Sequence, residues 1–442
     1  MSADSHGRAG AQLLEQARAL QTSAMSRRRD CSAEALPLYR QALEHFRAAA
    51  GLAPQNSHAH RLCGAVLTEL GELEAARESF AHAYRLAPSE PEVAAEYAAS
   101  LQSTGDIAGA ARVFESALRK HPAHAGLHAA YALTLLGGGD FARGWDEYEW
   151  RLKVPQGGIE RPFPFPRWQG EPLGGRTLLV YTEQGVGDEV MFASCFDELI
   201  AGAGATVLEA STRLVPLFER SFPQARVLTR NLAQMPDWSR LPAIDCCIAA
   251  GSVPRFLRRS LEDFPRRPSY LRSDSKMQKE WEARLASTRK PRIGLAWTGG
   301  LPGTLRSARS LSLEDLAPLV RGFDATWVAL EFLDCTAEVE AFNQRHNASL
   351  VWWPRAVASI DETAAALCAL DLVITVTTAT AHLAAALGRP TWVLVPSIPS
   401  WRYLWQGEEM PWYRSMRILR GGGSRAAVVS AALQRLLRQG AR

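Results

Sequence analysis

An α-helical solenoid followed by two α/β units, each built on a largely parallel sheet, is the fold class that the sequence predicts. Three observations lead there: a repeat of 34 residues that begins at Ser57, a proline- and glycine-rich break after it, and two series of short apolar runs alternating with helical stretches beyond the break. At 442 residues the chain has room for roughly three domains.

The repeat comes first. "SHAHRLCGAVLTELGELEAARESFAHAYRLAPSE", "PEVAAEYAASLQSTGDIAGAARVFESALRKHPAH" and "AGLHAAYALTLLGGGDFARGWDEYEWRLKVPQGG" succeed one another without a gap. Gly71, Gly105 and Gly139 fall in phase, as do Ala76 with Ala110, Phe80 with Phe114, and Pro54 with Pro88 and Pro122. Small residues let the two helices of a unit approach and a proline ends each unit, so the pattern resembles the tetratricopeptide repeat. Ala42 and Phe46 carry the phase upstream, which puts the array at residues 33–153 and leaves 1–32 as an N-terminal segment. Stacked helix pairs have no chemistry of their own, but they leave a concave groove. The groove is expected to hold a peptide or protein; the alternative is a spacer or an oligomerisation arm. The last unit, "FARGWDEYEWRL", is rich in aromatic residues, so Trp145, Tyr148 and Trp150 are expected to dock onto the α/β part of the chain.

"RPFPFPRWQGEPLGG" marks a linker at 154–175. After it, "RTLLVY", "ATVLEA", "ARVLT" and "IDCCIA" read as strands of a first α/β unit at 176–275. A charged stretch from Lys276 to Lys290 comes next. Then "RIGLAW", "TWVALE", "SLVWW", "DLVITV" and "TWVLVP" restart the alternation in a second unit at 276–442. Two such units in series leave a cleft, and ligands of such sheets meet the carboxyl ends of the strands.

Composition narrows the function. Fifty Lys and Arg against 46 Asp and Glu leave a net charge of +4, which does not mark a nucleic-acid binder. Two basic clusters, Arg27 to Arg29 and Arg255 to Arg267, read as solvated loop charge. Seven cysteines with no CxxC spacing point to reduced thiols, with Cys246 and Cys247 as buried strand residues. The first residues lack the basic start and apolar core of a signal peptide, and no apolar run reaches membrane-spanning length. A cytoplasmic protein is expected, any membrane link coming through a partner.

Two turns carry the chemistry. In "VYTEQGVGDEV", Val180 to Val190, a strand ends in a glycine turn at a helix start. Gly185 and Gly187 permit a close approach of the backbone, yet Val190 stands where a dinucleotide fingerprint has its third glycine, and Asp188 would repel a phosphate. In "DLVITVTTATAHLAAALG" a buried strand runs through threonines into an Ala-rich helix, whose first turn has unpaired N–H groups and a positive dipole end. This is a seat for a phosphate or diphosphate, with Thr377, Thr378, Ala379 and Thr380 as donors; His382, one turn in, is either a further donor or a satisfied core histidine. "GLAWTGG" brings Thr298 and Gly299 towards the same ligand, and Arg306 and Arg309 come soon after, one of them to neutralise leaving phosphates. The chain has no Asp-x-Asp stretch, so arginine, helix dipole and hydroxyls are expected to replace a metal, and none is predicted. The HxxH of His121 and His124 lacks further ligands.

"LLVYTEQGVGDEVMFAS", "RIGLAWTGG" with "RSLSLEDLAPL", and "LCALDLVITVTTATAHLAAALGRPTWVLVP" with "WRYLWQGEEMPWYRSMRILR" resemble the heptosyltransferase family, in that family's order and over nearly the whole second part of the chain. The resemblance implies a GT-B fold: two Rossmann-like domains face each other, the second holding a nucleotide-sugar donor and the first contacting the acceptor. Repeats joined to such a half are similar to O-GlcNAc transferase and flagellin-modifying transferases, in which the repeats hold a protein acceptor. It further implies Gly187 and Asp188 opposite the donor, with Asp188 as candidate general base and Glu183 in reserve; the alternative for Asp188 is a helix N-cap. Thr377 replaces an Asp common in the family, which removes a charge that would repel phosphate. Glu331, where related sequences place a Gln, is a candidate contact to the nucleotide. The C-terminal aromatic cluster of Trp401, Arg402, Tyr403, Trp412 and Tyr413 either packs across the cleft or stacks on sugar or base.

The expected activity is a metal-independent GT-B glycosyltransferase without a cofactor, the nucleotide-sugar being its substrate. The acceptor expected is a hydroxyl of a protein recruited by the repeats, flagellin or another surface protein being a candidate. Alternatives are a saccharide or lipid-linked glycan acceptor, and a scaffold that performs no transfer.

Overall fold

The computed structural model describes residues 2–26, 32–154, 161–232, 236, 238, 241–300, 309–422 and 424–440. Arg306 and the cluster from Arg27 to Arg29 lie outside the described residues.

Helices pack in successive pairs: α1 (Ala3–Ser26) with α2 (Ser32–Leu52), α3 (Ser57–Glu69) with α4 (Leu73–Leu86), α5 (Pro91–Ser103) with α6 (Ile107–Lys120), and α7 (Ala125–Gly137) with α8 (Phe141–Tyr148). The phase seen in the sequence has a backbone cause. Gly71, Gly105 and Gly139 end the turn inside each unit at φ of +78°, +93° and +85°, a left-handed conformation that any side chain resists. Ala76, Phe80, Ala110 and Phe114 are buried where the helices of a unit meet. Pairing also begins earlier than the proline phase indicates. Leu14 and Ala17 of α1 are buried with Ala42 and Phe46 of α2, and a Cβ on Gly10 would lie 2.7 Å from the Phe46 ring. The stretch set apart on sequence therefore supplies a helix of the array. A 3-10 helix, Glu149–Lys153, closes it.

The first α/β unit is a four-stranded parallel sheet of β1 (Thr177–Tyr181), β2 (Ala205–Ala210), β3 (Arg226–Thr229) and β4 (Cys246–Ala249), in the order β3-β2-β1-β4. Its connections carry α9 (Val186–Phe192), α10 (Phe196–Gly202), α11 (Val215–Ser221) and α12 (Pro254–Leu257). The charged stretch from Lys276 forms α13 (Ser275–Leu285), capped by Asp274 through the N–H groups of Lys276 and Met277.

The second unit is a seven-stranded sheet. β5 (Arg292–Ala296), β6 (Thr326–Ala329), β7 (Val351–Trp352), β8 (Leu372–Thr375) and β9 (Thr391–Val395) pair in parallel, with β11 (Tyr413–Arg420) beside β9. β10 (Glu409–Met410) adds an antiparallel edge, so the order is β10-β11-β9-β8-β5-β6-β7. Helices α14 (Ala317–Gly322), α15 (Thr336–His346), α16 (Ile360–Cys368), α17 (Ala379–Ala386) and α18 (Arg425–Gly440) cover it. No helix among the described residues is long and apolar enough to cross a membrane.

One hydrophobic core joins the last repeat to both sheets: Trp145 and Tyr148 lie in it with Phe192, Trp401 and Trp412. The Trp145 ring meets Trp401 edge to face at 5.6 Å and Trp412 at 6.1 Å, and its Nε1–H donates to the Arg258 carbonyl at 2.8 Å. Trp150 behaves otherwise, stacking on His128 of α7 with centroids 4.1 Å apart. Of the arginines from Arg255 to Arg267, Arg259 and Arg266 are exposed as expected, whereas Arg258 is buried. Asp146 of α8 accepts from Arg255 at 2.8 Å and Arg259 at 2.9 Å, while Arg258 and Arg267 donate to Glu198 of α10 at 2.6 and 2.7 Å. Asp146 thus ties Arg255 and Arg259 to the array, while Glu198 holds Arg258 and Arg267 within the first α/β unit.

Candidate active site

The two turns singled out in the sequence meet. After β1 the chain passes Thr182, Glu183 and Gln184 and starts α9 with Gly185 in the N-cap position, where no side chain caps the helix. Asp188 is thus not the N-cap. Gly187 lies against the start of α17: a Cβ there would sit 3.4 Å from His382 Cδ2 and 3.5 Å from Ala379 Cα. Its closeness serves helix packing across the two α/β units. This face-to-face meeting of two parallel sheets through the helices that come after β1 and β8 settles the architecture. The chain is a tetratricopeptide-type array followed by a GT-B fold.

Asp188 reaches across the junction of the GT-B half. Its Oδ1 accepts from Arg402 Nε at 2.5 Å and also from Nη2. Its Oδ2 has no hydrogen bond among the described residues. Arg402 stands on the connection after β9, donates through Nη1 to Ser400 Oγ at 2.8 Å, and lies over the Trp401 ring at 4.8 Å. Burial works against its charge, but the Asp188 carboxylate outweighs that and holds it above the ordinary arginine range.

The segment expected to seat a phosphate lies next to this pair. Thr378 caps α17, its Oγ1 accepting from Ala381 N–H at 3.3 Å and lying 3.1 Å from Thr375 Oγ1. Ala379 is exposed and Thr380 half-buried, and helix geometry gives their N–H groups no intrahelical acceptor. Thr377 is buried. Arg309 braces it, with Nε 3.0 Å from Thr377 Oγ1 and Nη2 2.6 Å from its carbonyl. Burial and the nearby Arg402 guanidinium hold the Arg309 pKa below the ordinary range. Gly299 donates to Ser310 Oγ at 2.9 Å, and a Cβ on it would lie 2.6 Å from the Arg309 carbonyl. Glycine is therefore needed where the strand end and the Arg309 segment run together.

Three residues expected at the site do other work. Glu183 is buried in an ion pair: its Oε1 accepts from Arg151 Nη2 at 2.7 Å and from Gly251 N–H at 3.2 Å. The reserve base is thus a strut between the array and the first sheet. Glu331 is buried and accepts from the N–H groups of Trp297 at 2.6 Å and Thr298 at 2.9 Å, fixing the turn after β5, and burial raises its carboxyl pKa. His382 has Nδ1 3.0 Å from Tyr413 Oη and Nε2 3.2 Å from Tyr403 Oη. Burial and the two arginines pull its pKa down to about 3, so it is a neutral core histidine with both nitrogens engaged. The aromatic cluster is likewise packing, with Trp401, Tyr403, Trp412 and Tyr413 all buried.

A cavity of about 890 Å³ opens beside Arg309 and Arg402. One wall is the repeat groove, with Ala99, Gln102 and Leu133; the other is the second α/β unit. No three His, Cys, Asp or Glu side chains are grouped to hold a metal among the described residues.

No protein-family model matches the chain. It is 33% identical over 296 residues to Protein FlbA of Caulobacter vibrioides, an overlap of 62% of this chain and 48% of that protein. The chain thus spans about half the length of that relative. Among solved structures, the GT-B half is similar to a glycosyl transferase family 9 protein of Veillonella parvula (12% identity, 61% of this chain and 99% of that one, TM-score 0.47). The whole chain is similar to a mutant O-GlcNAc transferase of Thermobaculum terrenum (14% identity, 97% and 93%, TM-score 0.31).

Proposed function

We propose that the protein transfers a glycosyl group from a nucleotide-sugar to a hydroxyl of a protein held in the repeat groove. The observation that carries this reading is the convergence of one carboxylate, Asp188, with Arg309, Arg402 and the first turn of α17, beside a cavity that continues into the groove. The donor phosphates sit at Ala379 and Thr380, with Thr377, Thr378 and the Thr298–Gly299 turn around them and Arg309 meeting their charge. Asp188 Oδ2 takes the proton of the attacking hydroxyl while its oxygen bonds the anomeric carbon and the bond to the phosphate oxygen breaks. Negative charge passes to the leaving nucleotide, where the arginines and helix N–H groups stabilise it.

A protein acceptor is supported by the cavity's continuation into the groove beside Ala99, Gln102 and Leu133, flagellin or another surface protein being the candidate. The test is thermal unfolding with UDP-, GDP-, ADP- and CMP-linked ligands on wild type and Arg309→Ala. One of them is expected to raise the Tm of wild type and leave the variant unmoved. Equal shifts in both would remove Arg309 from the seat; no shift with any would remove the donor reading.

A further inference from the structure

The contact between Asp188 and Arg402 joins residues 214 positions apart, one from each α/β unit. Arg402 lines the cavity and lies close enough to Arg309 to lower its pKa. Two guanidinium groups and one carboxylate therefore share the mouth of the phosphate seat, and that carboxylate is the one read as the base. A diphosphate arriving there carries more negative charge than Asp188 and offers more acceptor atoms to a planar guanidinium. Asp188 and the ligand compete for the same donor.

Resting on the reading of Asp188 as base and α17 as phosphate seat, we infer that Arg402 is a donor-responsive latch: it holds Asp188 Oδ1 in the ligand-free protein and turns to the diphosphate when the donor binds, releasing the base only then. Arg402 is in this respect a positioning residue for the carboxylate as well as a ligand of the phosphates. Ser400 holds Nη1 and the Trp401 ring lies under Cζ, so the movement is a side-chain rotation between neighbouring partners.

The test is a double-mutant cycle on binding of nucleoside diphosphates, with UDP, GDP, ADP and CDP as probes, by calorimetry on the full chain. Asp188→Asn is expected to tighten the preferred diphosphate at least 5-fold by removing the competitor, and Arg402→Gln to weaken it about 10-fold. In the double variant the gain from Asp188→Asn should vanish. A gain that persists unchanged without Arg402 is repulsion through space and overturns the latch. Arg402→Lys, which keeps the charge but loses the fork, should restore part of the affinity and part of the coupling; restoration of neither would also count against the latch. Failure of every probe to bind wild type would instead sink the donor reading, so the two failures are distinct.

Discussion

Asp188 and Glu183 stand five residues apart in sequence and illustrate how environment assigns roles to like side chains. Glu183 has its charge consumed by Arg151, whereas Asp188 keeps an oxygen free beside the seat. Asp188→Asn should lower transfer by about 10²–10⁴-fold while nucleotide binding survives, as a general base contributes in that range; single-turnover assays with saturating donor check this. Glu183→Gln should instead cost stability, about 3 kcal/mol, because it removes the more buried of the two carboxylates that pair with the buried Arg151 guanidinium and leaves only Glu149; urea unfolding reads it. His382 gives a pH signature. Its folded pKa of about 3 lies below the unfolded value near 6.5, so the unfolded chain binds the extra proton. Its contribution is complete above about pH 6.5 and falls by about 1.4 kcal/mol per pH unit from there towards pH 3. Urea unfolding across that window, compared with His382→Gln, should show the slope in wild type alone. Arg402 is the residue that sequence could not place: its partner lies 214 positions away, and no local pattern encodes a contact made only when two sheets face each other.

At the scale of elements, the nine parallel strands anticipated from apolar runs all form; the central ones are buried on both faces and need little beyond a short apolar run between turns, while β3 and β7 lie partly exposed. What escaped was shaped by tertiary contact. β10 has two residues and pairs with a register shift, and β11, an eight-residue strand parallel to β9, carries arginines at Arg414, Arg417 and Arg420 that break up any apolar run. α1 lacks the glycine and proline phase of the later units, and its membership rests on Gly10 fitting the Phe46 ring. The phased glycines were legible for a physical reason, and it can be tested. Gly139→Ala meets no atom within 4 Å but keeps a φ of +85°, so it should destabilise by about 1–2 kcal/mol through backbone strain alone. A thermal melt that leaves this variant at the wild-type Tm would show that the turn relaxes.

Across the whole molecule, the repeats and the GT-B half are one folding unit at their junction. Trp405, on the connection between β9 and β10, donates its backbone N–H to the Gly137 carbonyl at 2.8 Å and its indole N–H to the Thr134 carbonyl at 3.3 Å, and a Cβ on Gly137 would lie 2.2 Å from its ring. Together with Trp145 this closes the array against both sheets. Residues 161–442 expressed alone should therefore expose the Trp401–Trp412 surface, bind a hydrophobic dye and aggregate, whereas the full chain stays monodisperse in size-exclusion chromatography. A well-behaved fragment with a cooperative melt would show that the junction is dispensable.

The shared aromatic junction also sets where such a protein can be rebuilt. Exchange of recognition units is open at the outer end of the array, up to Lys120, because those helix pairs touch chiefly their neighbours. The pair from Ala125 to Tyr148 is a fixed adaptor, half repeat and half core of the GT-B fold. On the proposed function, acceptor range would diversify by swapping what stands in front of that adaptor, and any chimera that cuts behind it severs the tryptophan contacts on which the GT-B half is built.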